Sequence, residues 1–434
     1  MNQNLIPSGL ITLGAYLPAK DIAPAEIPTL VDFLRKHTLL PEEYIQTIEL
    51  TGMLPGKVET NEEGWKNQPW YDAWVQSLPP KKRENPFQGT KERRRVPFDP
   101  ESVKKSLVPH PMLPSDAETI AGALALFESR IKPAEIDLVM CHSQVPDHPL
   151  PQNASLVQHK LKLANAGAYN VDSCCSSFVT MTELACSLVS SGIKKNVLII
   201  SSFIDSHVND KSTHFSVDTG DAAIAGIISK TKEGYGYLAS HSISHGSRHN
   251  GIIYQKRQPL LMRRLDSSPD YSQTFTTFYN PEANKEIAIN STIDMQEVVG
   301  RSLEKAGLSL SDINFMVTHQ PVAWAGNAWR EAAGVPEEKF FETFQKYGNI
   351  ATCAAPTNLL EAIETEKMVA GDKIIFASPG AGENHICIIM CISPELVSYI
   401  KKIGPRHAYT VDKTSEFNKK LNTFVVIKGE NCKS

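Results

Sequence analysis

Two segments of this chain repeat each other at one fixed distance, and that limits the folds open to it. Glu135-Ile-Asp-Leu-Val-Met-Cys-His142 matches Asp312-Ile-Asn-Phe-Met-Val-Thr-His319 in its apolar and polar pattern, at an offset of 312 − 135 = 177. Val197-Leu-Ile-Ile200 matches Ile374-Ile-Phe-Ala377 at the same spacing, 374 − 197 = 177. Each follows a helix-like stretch and a turn containing glycine or an acid. One register shared by independent strands points to a duplicated βαβ unit; chance likeness between hydrophobic strands is the competing account.

At 434 residues the chain exceeds one minimal core, so two halves are expected, 1–230 and 231–434. Residues 9–17 read as a strand and 26–37 as a helix. From 117 onward helix and strand alternate: helix 117–130, strand 136–141, helix 154–161, helix 178–190 and strand 196–201. Such alternation marks an α/β fold with a largely parallel sheet. Between about 38 and 115 the texture changes. Trp65, Trp70, Tyr71 and Trp74 lie among prolines and charges, followed by Pro79-Pro-Lys-Lys-Arg83 and Lys91-Glu-Arg-Arg-Arg95. This insertion reads as a lid or binding loop, poor material for a sheet. Its basic cluster is either a solvated face or a contact for a phosphate-bearing carrier.

Lysine and arginine number 44 against 48 acidic residues, for a net charge of −4. That gives no general case for nucleic acid or an anionic membrane as partner. The 8 cysteines show neither secreted-domain spacing nor a zinc pattern. No signal peptide or membrane-length apolar run is present in the sequence. A reducing, cytoplasmic setting is expected. His241, His245 and His249 recur every fourth residue, but Ser244, Gly246 and Ser247 argue against a helix, so no metal is expected there.

The stretch Tyr169-Asn-Val-Asp-Ser-Cys-Cys-Ser-Ser-Phe178 carries the chemistry. A strand hands over to a helix through a polar turn, which puts Cys175 near unpaired N–H groups and the positive end of the helix dipole. Both favour thiolate over thiol; a small buried cysteine is the other reading. The 177-residue offset sets Tyr347-Gly-Asn-Ile-Ala-Thr-Cys353 opposite this turn. His319 follows a strand, Asn349 lies in a Gly-Asn turn, and Gly380-Ala-Gly382 offers backbone N–H groups for an oxyanion. Together these would make an acyl-transfer site.

Asn170-Val-Asp-Ser-Cys-Cys-Ser-Ser-Phe178 resembles the nucleophile motif of the β-ketoacyl-ACP synthase III group of the thiolase superfamily, which places the nucleophile on Cys175 rather than Cys174. Val317-Thr-His-Gln320 and Tyr347-Gly-Asn349 are similar to its His-Gln and Gly-Asn motifs. Gly220-Asp-Ala-Ala223 and Gly380-Ala-Gly382 resemble its glycine-rich segments, and 147–151 its dimer-interface loop. The resemblance runs from about residue 9 to 392, interrupted near 38–88. It implies a five-layered αβαβα thiolase-like fold of two pseudo-symmetric halves, a homodimer, and no resident cofactor beyond the CoA or phosphopantetheine that carries the substrate. Cys175 would be acylated by an acyl-CoA or acyl carrier protein. His319 and Asn349 would hold a malonyl or β-ketoacyl unit for Claisen condensation. Arg93 and Arg94 are candidates for the mouth of the pantetheine tunnel.

The chain departs from that pattern in three places. His319-Gln-Pro-Val322 lacks the asparagine of the family's His-Gln-x-Asn. Glu383-Asn-His385 is more polar than usual, and so are Asp172, Ser173 and Cys174, where a small apolar run is typical. These departures suggest polyketide or fatty-acid-derived secondary metabolism, with ring closure as one option and Glu383 as an auxiliary base or a structural carboxylate. The alternatives are acyl transfer onto an alcohol or amine, and a catalytically dead partner subunit.

Overall fold

Strands such as Val197-Leu-Ile-Ile200 and Ile374-Ile-Phe-Ala377 are apolar on both faces, so each sheet has to be covered twice. The computed structural model shows how. It describes residues 5–60, 71–78, 80–84, 92–95, 112–206, 218–256, 275–279 and 281–401. The first part runs β1 (Ser8–Tyr16), α1 (Ile27–His37), α2 (Glu42–Thr51), β2 (Lys57–Thr60), β3 (Glu92–Arg95), α3 (Pro114–Ser129) and β4 (Leu138–Ser143). It continues with α4 (Ala154–Lys160), β5 (Gly167–Asn170), α5 (Ser177–Ser190), β6 (Val197–Phe203) and β7 (Ala222–Lys230). The second part holds β8 (Gly236–Ser244), β9 (Ile252–Lys256), β10 (Phe275–Tyr279), α6 (Pro281–Ala306) and β11 (Phe315–Thr318). Then follow α7 (Ala325–Ala332), α8 (Ala354–Glu364), β12 (Lys373–Gly380), β13 (Asn384–Cys391) and α9 (Pro394–Lys401).

One sheet has the order β1-β7-β6-β4-β5 and the other β11-β12-β13-β8. In the first sheet β4 is parallel to both β5 and β6, and in the second β11 is parallel to β12; the other pairs are antiparallel, so the sheets are mixed rather than largely parallel. The repeat is visible in the coordinates. Helices α3 and α6 end at 129 and 306, β4 and β11 begin at 138 and 315, and α5 and α8 begin at 177 and 354, each pair 177 apart.

Side-chain alternation sorts the strands into layers. Val197 and Ile199 of β6 and Ile374 and Phe376 of β12 all enter one buried cluster, together with α5 and α8 residues. Leu198 and Ile200 face away into a second cluster with α3. Ile375 and Ala377 face away into a third, with Met295, Val298 and Val299 of α6. Helix, sheet, paired helices, sheet and helix therefore stack in five layers.

The 38–115 insertion departs from expectation. Part of it is core: α2 buries Tyr44, Ile45 and Ile48, a helical stripe masked in the sequence by the prolines and charges around it. Part of it is sheet, β2 pairing antiparallel with β3. Pro80–Arg83 of the first basic cluster is a short helix, whereas Trp65, Trp70, Lys91 and the tail beyond 401 lie outside the described residues.

Phe376 is fully buried and stacks edge-on against Phe178 of α5, ring centres 6.4 Å apart, so it joins the second sheet to the first half's helix. Phe376→Ala is expected to lower stability by about 3–5 kcal/mol, read from urea unfolding; a loss below about 1 kcal/mol would mean that this layer is not tightly packed.

Candidate active site

Cys175 sits in a 3-10 turn, Cys174–Ser176, between β5 and α5. Cys174 adopts φ +55°, the left-handed region that residues with a Cβ rarely enter. Asp172 Oδ1 holds it there by accepting the Cys174 N–H at 2.8 Å. From the other half, Ser378 Oγ donates to the Cys175 carbonyl at 2.9 Å. Gly380 passes so close that a Cβ would lie 2.5 Å from the Ser173 carbonyl oxygen; only glycine fits. That approach brings the Ala381 N–H to the Cys175 sulfur, where it favours the anion, as does the cysteine's own N–H. Two backbone donors at one sulfur are also suited to an oxyanion on an acyl group held there.

The activated thiol expected at Cys175 has a second sulfur beside it. The two sulfurs lie 3.8 Å apart. The two thiols hydrogen-bond each other, and with Cys175 as donor Cys174 is held below the ordinary thiol range, against burial. Cys175 itself is held above that range by the same hydrogen bond and then by burial. The helix dipole favours one negative charge at this turn, and the hydrogen bond between the thiols favours Cys174 over Cys175 as its seat.

His319 follows β11 directly, is 3% exposed, and lies against Trp329 with ring centres 6.4 Å apart. Burial lowers its pKa to about 3, with the Ala351 backbone opposing the shift. Asn349 Oδ1 accepts the Ala351 N–H at 2.9 Å, which leaves the Nδ2 hydrogens for another acceptor. Its backbone is fixed by an isolated parallel bridge to Thr219. The Asn349 N–H donates to Asp218 O at 2.6 Å, and its carbonyl accepts the Gly220 N–H at 3.0 Å. A Cβ on Gly220 would lie 2.3 Å from the Tyr347 carbonyl oxygen.

Ala351 thus touches both His319 and Asn349, and its φ is +45°. It stands 351 − 174 = 177 residues after Cys174 and makes the same kind of turn. Thr352, the counterpart of Cys175, accepts the Phe178 N–H through Oγ1 at 3.1 Å. The turn carrying the imidazole and carboxamide supports is in this way docked on the turn carrying the thiol. The repeat register set Ala351 and Thr352 opposite Cys174 and Cys175 without giving either a role; Ser378 went unnoticed in the sequence.

Glu383 lies just past Ala381 and is 4% exposed. Its Oε2 is 3.4 Å from Arg248 Nε and 3.4 Å from His385 Nε2. Arg248 Nη2 also meets Asp294 at 2.6 Å, and His245 approaches the same carboxylate at 3.1 Å. A carboxylate so engaged anchors the glycine-rich turn and is poorly placed to act as a base. Asp294, Glu383 and His385 could gather around a metal ion, but the Arg248 guanidinium already supplies their counter-charge. Arg93 and Arg94 belong to β3; their side chains lie outside the described residues.

The comparisons agree with this geometry. Residues 169–246 match the profile described as 3-oxoacyl-[acyl-carrier-protein (ACP)] synthase III, and 303–392 match that of its C-terminal part. A β-ketoacyl-[acyl-carrier-protein] synthase III from Vibrio vulnificus is 31% identical over 274 residues, covering 62% of this chain and 72% of the relative. The chain belongs to the β-ketoacyl-[acyl-carrier-protein] synthase III family. A synthase III from Aquifex aeolicus is 30% identical, covering 61% of this chain and 79% of its own. The crystal structure of an Aquifex aeolicus synthase III superposes with TM-score 0.60 at 24% identity, covering 88% of this chain and 99% of that one. The priming β-ketosynthase of the R1128 polyketide pathway gives TM-score 0.63 at 18% identity, covering 91% of this chain and 98% of its own. The molecule is a thiolase-fold condensing enzyme of the synthase III type.

The lowered His319 pKa has a measurable sign. Below pH 6.5 the unfolded chain binds a proton at this residue that the folded chain refuses until about pH 3. Stability is therefore lost as pH falls through that window, by about 1.4 kcal/mol per unit. His319→Asn should remove this slope in unfolding titrations between pH 6.5 and the onset of acid denaturation; an unchanged slope would show a protonated imidazole in the native state.

Proposed function

We propose that this synthase III relative is a cysteine-dependent ketosynthase, joining an acyl thioester to a malonyl or β-ketoacyl thioester. The observation that carries the reading is the docking of the Ala351–Cys353 turn on the Cys174–Ser176 turn through Phe178 N–H and Thr352 Oγ1, 3.1 Å apart. Cys175 attacks the first thioester, the Ala381 and Cys175 N–H groups receive the oxyanion, and the carrier thiol leaves. His319, neutral at physiological pH, and the Asn349 carboxamide then hydrogen-bond the carbonyl of the second thioester. As malonyl carbon dioxide departs, the negative charge gathers on that oxygen, and the enolate carbon attacks the acyl-Cys175 carbonyl. A neutral imidazole suits this task because it donates a hydrogen bond without giving up charge balance to a buried cation.

An acyl carrier protein, the carrier in the names of the synthase III relatives, or CoA would deliver the acyl groups. The likeness to a polyketide priming ketosynthase supports a place in polyketide or fatty-acid-derived metabolism. Ring closure after condensation would need a base other than Glu383. Leu150, 86% exposed in the loop after β4, fits a homodimer contact; a monomeric mass in solution at micromolar concentration would exclude that assembly.

Intact-protein mass spectrometry with an acyl-CoA panel and malonyl-CoA tests the reading. Cys175→Ala is expected to abolish end-point labelling, whereas Cys174→Ala retains it. His319→Ala and Asn349→Ala should still become acylated but release carbon dioxide and β-keto product about 10²–10³-fold more slowly. Label moving onto an added alcohol or amine, with no carbon dioxide, would make the enzyme an acyl transferase instead.

A further inference from the structure

The sulfur of Cys174 has no task in the steps above, yet it lies within hydrogen-bonding distance of the nucleophile. Its Sγ is 3.8 Å from Cys175 Sγ. On its other side lies the Gln144 carboxamide, Nε2 at 3.7 Å and Oε1 at 3.8 Å. An amide presenting both atoms can donate to a thiolate and accept from a thiol, so it serves the sulfur in either protonation state. The bend alone does not require a cysteine. Ala351 makes the equivalent left-handed turn, φ +45° against +55° for Cys174. A thiol at 174 is therefore chemistry added to a turn that alanine satisfies.

We propose that Cys174 is the general base and then the general acid of the acylation half-reaction, a role that rests on Cys175 being the nucleophile. As the Cys175 sulfur bonds to the thioester carbonyl carbon, its S–H bond breaks and the proton passes to the Cys174 thiolate. The tetrahedral intermediate then expels the carrier sulfur, which takes that proton from Cys174. Cys174 ends as the thiolate, Cys175 as the acyl thioester, and the carrier leaves as a free thiol. No oxidant or further reactant is needed. Donor and acceptor are all thiols, so each transfer is close to balanced in energy, the condition for efficient acid–base catalysis. The cycle starts with Cys175 donating to Cys174 across the 3.8 Å between the sulfurs, the arrangement in which Cys174 is favoured and Cys175 disfavoured as the anion.

The surroundings are otherwise poor in competing groups. Asp172 of the same turn opposes the Cys174 charge and is itself met by His142 of β4 at 3.4 Å. Among the described residues, the turn after β12 contributes Ser378 and the Ala381 N–H, with its one titratable residue, Glu383, engaged by Arg248. The Ala351–Cys353 turn contributes Thr352, whose hydroxyl is held by Phe178 and Ser201.

The test is rapid-quench acylation of the full chain under reductant, read by mass spectrometry and peptide mapping between pH 6 and 10. The probes are octanoyl-CoA and p-nitrophenyl hexanoate, an activated ester that needs no carrier recognition. The proteins are the native chain, Cys174→Ala and Cys174→Ser, with melting curves to confirm folding. In all three the acyl group is expected on Cys175. At pH 7 both variants should acylate about a hundredfold more slowly, and the gap should close as pH rises and solvent hydroxide takes over the proton. A native rate in Cys174→Ala overturns the role. So does a native rate in Cys174→Ser, which would make Cys174 a hydrogen-bond donor only, and so does a loss equal at every pH, the mark of packing damage. Acyl label on Cys174 in the native chain, or none from either probe, would overturn the nucleophile assignment and this role with it.

Discussion

The Phe178 N–H belongs to the first turn of a buried helix, where backbone donors have no partner within the helix. Here the donor is met by Thr352 Oγ1 from the other half of the chain. That contact is the point on which the site depends. It fixes the helix start that follows Cys175 against the turn whose Ala351 supports His319 and Asn349. The central cluster, built from α5, α8 and the inner faces of both sheets, keeps the two helix starts opposed. Neither half on its own carries more than part of the chemistry.

Backbone strain is concentrated at the same place. Cys174 and Ala351 both occupy the left-handed region, at a cost of about 1–2 kcal/mol each. The surrounding structure over-determines them: Asp172 holds one, Asn349 the other. Gly380 and Gly220 complete the arrangement reciprocally. Gly380 lets the second half's strand approach Ser173, and Gly220 lets the first half's loop approach Tyr347. Larger residues at either glycine would push the catalytic turns apart before any chemistry was lost directly.

Much of this was legible in the residues. The 177-residue register, the doubly apolar strands and the cysteine at a strand-to-helix turn are local patterns, and each survives into the fold. Cys175, His319 and Asn349 were named from motifs; the structure sets their turns together through Ala351 and Thr352, and their roles belong to the proposed function. What escaped notice depends on contacts between distant segments. The Arg248, Asp294, Glu383 and His385 cluster joins residues up to 385 − 248 = 137 positions apart, and no spacing rule brings them together. The hydrogen bond that couples Cys174 to Cys175 depends on a sulfur-to-sulfur distance that adjacency in sequence does not settle. Helix α2 was hidden for a different reason: Tyr44, Ile45 and Ile48 form a short stripe beside a proline- and tryptophan-rich stretch that drew the reading toward a loop.

Thr352 occupies the position that Cys175 has in the other repeat, and its hydroxyl is 1% exposed and committed to Phe178 and Ser201. A molecule with two identical repeats would present two reactive groups back to back across its pseudo-twofold axis. In this one the second copy has become a strut. On the function proposed above the stoichiometry follows: each polypeptide would hold a single acyl passenger, however many repeats its fold contains.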